Sequence, residues 1–228
     1  MDSQDSQDSR DKVRISGDEI IAEDLDDWRL LAQALHARFR TGSFLAGVRF
    51  AQAVGEAAEA VNHHPDLKLT YPFVDASLVS HDVGCVTRRD VALARRISEI
   101  ARAQGVAAEP GAVAQVELAL DTAAPSAQGP FWAALLTGDA EAVHGDDVVD
   151  PGGRVPLLWF QPSAQSPAAG PQQRFHLDVW VPHDVAENRI ALALDNGGTL
   201  VDEDSAPTFT VLADPEGNRV CVCTSVDR

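Results

Sequence analysis

The sequence predicts a mixed helix-and-strand protein of two domains, on three observations. Two capped, amphipathic helical patterns flank an alternating stretch in the first half. A segment rich in Gly, Ala and Pro, GVAAEPGA, follows them at 105–112. The second half then states one plan twice: apolar strand, turn, helix, Asp-Pro-x-Gly turn, apolar strand. The 228 residues suit two domains of roughly 100 residues or one large one.

Taken in order, the repetitive acidic start MDSQDSQDSRDK has too little apolar surface to order itself, so residues 1–14 are read as a disordered tail. Ser16-Gly17-Asp18-Glu19 has the form of a capping box and opens a short helix to about Leu25. The next window, DWRLLAQALHARFR, is ambiguous: its Ala and Leu favour helix, while Leu35 to Arg40 alternates like a strand. Ser43 caps a helix whose core stripe is read as Phe44, Val48, Ala51, Ala58 and Val61. That helix ends before His63-His64-Pro65, because proline disfavours helix in the residue before it. Leu69 to His81 reads as extended chain interrupted by Pro72, with Val74, Ala76 and Leu78 on one face. Thr87-x-x-Asp90 is a second capping box, opening a helix with Val91, Ala94, Ile97 and Ile100 on its stripe. The first domain spans 15–105, a linker 106–113, and the second domain 114–228. In that domain VELALDTAAPSAQGPFWAALLTGD and LDVWVPHDVAENRIALALDNGG each lead to a turn, at Asp150 and Asp214, and a closing apolar strand. This points to a duplicated βαβββ unit.

Bulk chemistry narrows the partners. Acidic residues outnumber basic ones 35 to 18, for a formal charge of −17. No basic stripe is present, so neither nucleic acid nor an anionic membrane surface fits. The three cysteines, Cys85, Cys221 and Cys223, form no disulfide framework and fit a reducing cytoplasm. No apolar run approaches the length of a membrane span.

Histidine carries the chemistry. His36, His144 and His183 read as structural. His63, His64 and His81 lie at a helix end and a strand end, where a fold can bring them together to bind a metal, zinc being the obvious rival, or to move protons near neutral pH. Glu59-x-x-x-His63-His64-Pro65-Asp66, then Tyr71, Leu78-x-x-His81 and Thr87-x-x-Asp90, resembles the pterin-4a-carbinolamine dehydratases over about residues 16–104. The resemblance implies an α+β domain with a four-stranded antiparallel sheet and three helices. It therefore argues for two strands in Trp28 to Arg40, against local propensity. It implies dehydration of a 4a-hydroxytetrahydropterin without metal or organic cofactor, and a chain that forms dimers or tetramers. It places His63, His64 and His81 in the pterin site, with His64 and His81 moving protons and His63 binding. Glu59, placed to orient His63, joins Pro65, Asp66 and Tyr71 as substrate-binding residues. Two residues depart from the pattern: Cys85 stands where relatives carry Gly, and Pro72 is unusual beside Tyr71.

The second half, with ALDTAAPSAQGPFWAALLTGD, RFHLDVWVP and DPEGNRVCVC, resembles the glyoxalase-like branch of the vicinal-oxygen-chelate superfamily. Metal-using members take ligands from both units. Here His176 is a weak candidate, Cys221 stands where a Glu ligand belongs, and the first unit offers only Gln115. The expectation is a metal-free ligand-binding or dimerising module, with Trp132, Trp159 and Trp180 lining its cavity. Two other readings stay open: a binding or regulatory protein, and a vicinal-oxygen-chelate enzyme or sequestering protein with a degenerate dehydratase half.

Overall fold

A computed structural model describes residues 12–227, apart from 123–125, 127–128, 130–132, 134–136, 138, 140, 154, 163–174, 196–197 and 214–218. The tail reading for 1–14, the Asp214 turn and Trp132 therefore lie wholly or mostly outside the described residues. Two compact units are present. One runs to Ala114 and includes Pro182–Val185 and the residues from Thr224; the other comprises Gln115–Val181 and Ala186–Cys223.

The first unit opens with α1 (Gly17–Ile21), shorter than expected, its capping box formed by Ser16 and Glu19. The window that propensity assigns to helix is a hairpin of β1 (Arg29–Leu31) and β2 (Ala34–Arg40). Alternation wins over propensity because Leu35, Ala37 and Phe39 are buried on one face of β2. After α2 (Phe44–Val61), a second hairpin pairs β3 (Asp66–Leu69) with β4 (Phe73–Leu78). The extended stretch read through to His81 therefore breaks at Thr70 to Pro72 and ends at Leu78. α3 (Arg88–Gln104) follows, stopped by Gly105 in the left-handed region at φ 67°. The strands run β1-β2-β4-β3. Within the segment read as linker, β5 (Ala107–Ala108) pairs with β2 and makes a fifth strand.

One face of this sheet carries the core. Phe39, Val74, Ala76 and Leu78 meet Phe50, Val54 and Ala58 of α2 and Val91, Ala94 and Ile97 of α3. Each large side chain buried here contributes about 1.5–3 kcal/mol. The expected α2 stripe is corrected. Phe44, Val48 and Val61 are exposed, and the helix turns Gly47, Phe50, Val54 and Ala58 inward. Arg49, Gln52, Glu56 and Glu59 recur at helical spacing, all exposed, on the opposite side, so the polar stripe marks the face that turns inward. Packing there is close: at Gly47 an added Cβ would lie 2.4 Å from Leu69 Cδ1.

On the other face, Arg38 grips Asp75 in a bidentate pair at 2.6 and 2.8 Å. Beside it, burial pushes the His36 imidazole from its ordinary 6.5 down to about 4, with nearby Asp75 opposing the shift. Between those values the unfolded chain takes up a proton that the folded chain refuses. Stability is thus full above about pH 6.5 and falls toward pH 4, by about 2–3 kcal/mol from this group. Urea denaturation across that range should show a shallower pH slope for His36→Gln than for wild type. Equal slopes would contradict the assignment.

The second unit holds the duplicated plan. β6 (Gln115–Thr122) pairs parallel with β9 (Leu158–Pro162), and β10 (Phe175–Trp180) parallel with β13 (Arg219–Cys223). β7 (Val143–His144) and β8 (Asp147–Val148) complete the first copy; β11 (Thr199–Asp202) and β12 (Phe209–Ala213) complete the second. The copies join through the antiparallel β6–β10 pair, giving the order β11-β12-β13-β10-β6-β9-β8-β7. The second copy's helix is α4 (Ala186–Asp195); in the first, Ser126, Gly129, Ala133 and Thr137 are helical. Asp150 forms its expected turn, accepting from the Gly152 amide at 2.8 Å. No described helix is long and apolar enough to cross a membrane.

Candidate functional site

The site is organised by a buried carboxylate. Asp90, on the first turn of α3, is fully buried. Its Oδ2 accepts from the Thr87 amide at 2.8 Å, closing the capping box, and from the Ser80 hydroxyl at 2.7 Å. Its Oδ1 lies 2.7 Å from His63 Nε2. A carboxylate saturated in this way takes the imidazole N–H, so His63 Nε2 donates and Nδ1 is the ring nitrogen left to meet a ligand.

Local structure explains how His63 arrives. Asn62 ends α2 in the left-handed conformation at φ 49°, and the His63 amide bonds back to Ala58 O at 3.2 Å. The helix is thus stopped one residue before the histidine pair, which Pro65 alone does not explain. The reversal sends His63 inward and leaves His64 exposed. Glu59 is corrected here: it reaches His64, Oε1 to Nε2 at 3.3 Å, and not His63. Both side chains of that pair are largely in water, so it contributes little stability.

His81 lies three residues past the end of β4, in an exposed turn closed by the Ser80–Cys85 bridge. Both of its neighbours are tied to α3. Ser80 bonds Asp90, and Asp82 accepts from Arg89 at 2.6 Å. That guanidinium holds the Asp82 carboxyl below its ordinary range. Asp90 therefore gathers the two chain segments that carry all three histidines: His64 follows one of its partners and His81 follows another.

A cavity of about 370 Å³ opens between α2 and α3, lined by His63, the apolar Ala57 and Leu93, and Arg88, Arg89 and Arg96. It suits a small ligand with an apolar face and polar edges. Of the expected site residues, only His63 lines it. Asp66 opens β3, exposed and paired with Ser77; Pro65 is half-buried; Tyr71 is 72% exposed in the β3–β4 turn. In the other unit, His176 stands on β10 with Trp159 edge-on at 5.7 Å.

Sequence reasoning missed Asp90 as a site residue because its role as a helix cap already accounted for it. It also missed Ser80 and the arginines. An arginine-rich first turn next to a histidine-bearing helix end was the available signal.

The family model "Pterin 4 alpha carbinolamine dehydratase" matches residues 14–100, and that of the "Glyoxalase-like domain" matches 117–223. A Nocardia farcinica protein named "Putative pterin-4-alpha-carbinolamine dehydratase" is 39% identical over 93 residues, covering 40% of this chain and 98% of that protein. One of the same name from Koribacter versatilis is 40% identical over 76 residues, covering 33% of this chain and 81% of that protein. A crystal structure of a transcriptional coactivator/pterin dehydratase from Brucella melitensis shares 28% identity, covering 39% of this chain and 99% of that one, with a TM-score of 0.37. A relative of which 98% is covered at 39% identity settles the matter: through its N-terminal half this chain belongs to the pterin-4a-carbinolamine dehydratase family, and it carries a glyoxalase-like domain after it.

Proposed function

We propose that the N-terminal domain, over about residues 15–105, dehydrates a 4a-hydroxytetrahydropterin to the quinonoid dihydropterin. The observation that carries this reading is the Asp90–His63 pair at the cavity wall, with His64 and His81 on the adjoining segments. In the reaction the bond from carbon 4a to the hydroxyl oxygen breaks, and that oxygen takes a proton and leaves as water. A ring N–H gives up its proton, and its electron pair forms the new C=N bond. One acid and one base meet these needs, and imidazoles serve as either near neutral pH. His64 and His81, open to solvent, exchange protons readily. His63, fixed by Asp90, presents Nδ1 to the ligand and orients it. The 114–228 domain, glyoxalase-like, is a separate module in this reading. Assembly into dimers or tetramers belongs to the reading too, supported by the exposed Phe44 and Leu45 on α2.

The chemistry assigned to this domain needs only proton transfer. Dehydration by the full chain should persist after exhaustive chelation and should depend on pH as a bell. Activity lost to a chelator and restored by a metal would overturn the mechanism.

A further inference from the structure

The cavity between α2 and α3 has a charge that dehydration of a neutral pterin does not use. Arg88, Arg89 and Arg96 line it, and no aspartate or glutamate does. The chain carries 35 acidic residues against 18 basic ones, so three guanidiniums on one small wall run against its bulk charge. Arg88 and Arg89 are the first two residues of α3, the end of a helix that favours an anion over a cation.

Helical spacing sets the arginines in a row. Arg88, Ala92 and Arg96 are four residues apart and share one face, and Arg89 joins them through Leu93. The row starts beside Asp90, hence beside His63, and runs on for two turns, roughly 12 Å. Each arginine is steadied by a carboxylate that stands outside the wall. Arg88 pairs with Glu23, which also accepts from Arg95 at 2.7 Å. Arg89 donates to Asp82 at 2.6 Å, and Arg96 to Glu99 at 2.9 Å. None of these three carboxylates lines the cavity. In Arg88 and Arg96 a single nitrogen, Nη1, makes the pair, and the planar fork keeps further N–H donors for a second anion.

A pterin ring needs an apolar face and a few polar groups at its edge, which Leu93, Ala92 and His63 supply. Guanidiniums in a row match phosphate and carboxylate oxygens instead. We propose that the pterin taken by this site carries an anionic side chain, ending in a phosphate or a carboxylate, which Arg88 and Arg96 bind while the ring lies against His63. The position of the ring rests on the dehydratase reading; the preference for charge rests on the arginines.

The test uses the full chain and three stable, fluorescent pterins that do not react: 6-hydroxymethylpterin, its phosphate ester and 6-carboxypterin. Equilibrium binding is read from their fluorescence at low salt. At least one anionic probe should bind at least about tenfold more tightly than the neutral one, the scale of a hydrogen bond to a charged group. The tighter of the two anionic probes identifies the group. The preference should shrink as salt rises. Arg88→Gln combined with Arg96→Gln should bring the ratio close to one, and the corresponding lysine pair should keep part of it. Arg102→Gln, on the same helix but outside the cavity, should leave the ratio as in wild type. Far-UV circular dichroism confirms that each variant is folded. A wild-type ratio near one, or a preference that survives the double glutamine variant, overturns the proposal. Binding of these probes needs no turnover, so the two readings fail separately. A folded chain that prefers the anionic probes without dehydrating loses only the dehydratase reading. One that dehydrates without the preference loses only the anionic side chain.

Discussion

Asp90→Ala should destabilise the N-terminal unit by about 3 kcal/mol, a large part of the ~5–15 kcal/mol that holds a typical domain together. The carboxylate is fully buried and serves four donors or partners: the Thr87 amide and hydroxyl, the Ser80 hydroxyl and His63 Nε2. Alanine leaves these groups without their acceptor in a site water does not reach, and buried groups left unsatisfied cost about 1–3 kcal/mol each. It also opens the capping box of α3. Asp90→Asn keeps the shape and an acceptor oxygen, so its loss should be smaller, about 1–2 kcal/mol. Urea midpoints of the three proteins check this. An unchanged midpoint for Asp90→Ala would mean that the carboxylate does not join these segments.

Loss of His64 or His81 should have the largest effect on rate. Each imidazole is exposed beside a residue anchored through Asp90, so removing it takes away the proposed proton-transfer group and disturbs little packing. Positioned acids and bases contribute about 10²–10⁴-fold. His64→Ala and His81→Ala should each lower turnover by about one to three orders of magnitude, with urea midpoints close to wild type. Glu59→Gln should act only mildly, because its contact with His64 is in water. If both histidine variants keep wild-type turnover, the proton-transfer roles belong elsewhere.

Much of this was legible in the sequence, for local reasons. Both capping boxes form at Ser16 and Thr87, because a cap depends on residues three apart. Val74, Ala76 and Leu78 share a buried face, because strand periodicity is fixed. The doubled βαβββ plan follows from two similar runs of strand, turn and helix. What was not legible depends on the chain returning to itself. The spacing of Glu59 and His63 predicts a contact along a continuing helix. The left-handed Asn62 ends that helix and delivers His64 to Glu59 instead. Asp90 meets a histidine 27 residues away, and Cys221 meets Asp178 through a parallel strand register. No local pattern encodes either meeting.

The central claim is that two segments bearing three histidines, gathered by one buried aspartate, make a dehydratase. The most direct measurement follows the absorbance of a freshly generated 4a-hydroxytetrahydropterin as it decays with and without the full chain. The account predicts decay that accelerates in proportion to protein concentration and slows toward the uncatalysed rate when His64 and His81 are both alanine. Decay no faster than in buffer, from protein shown to be folded, would contradict it and leave the cavity beside His63 as a binding site alone.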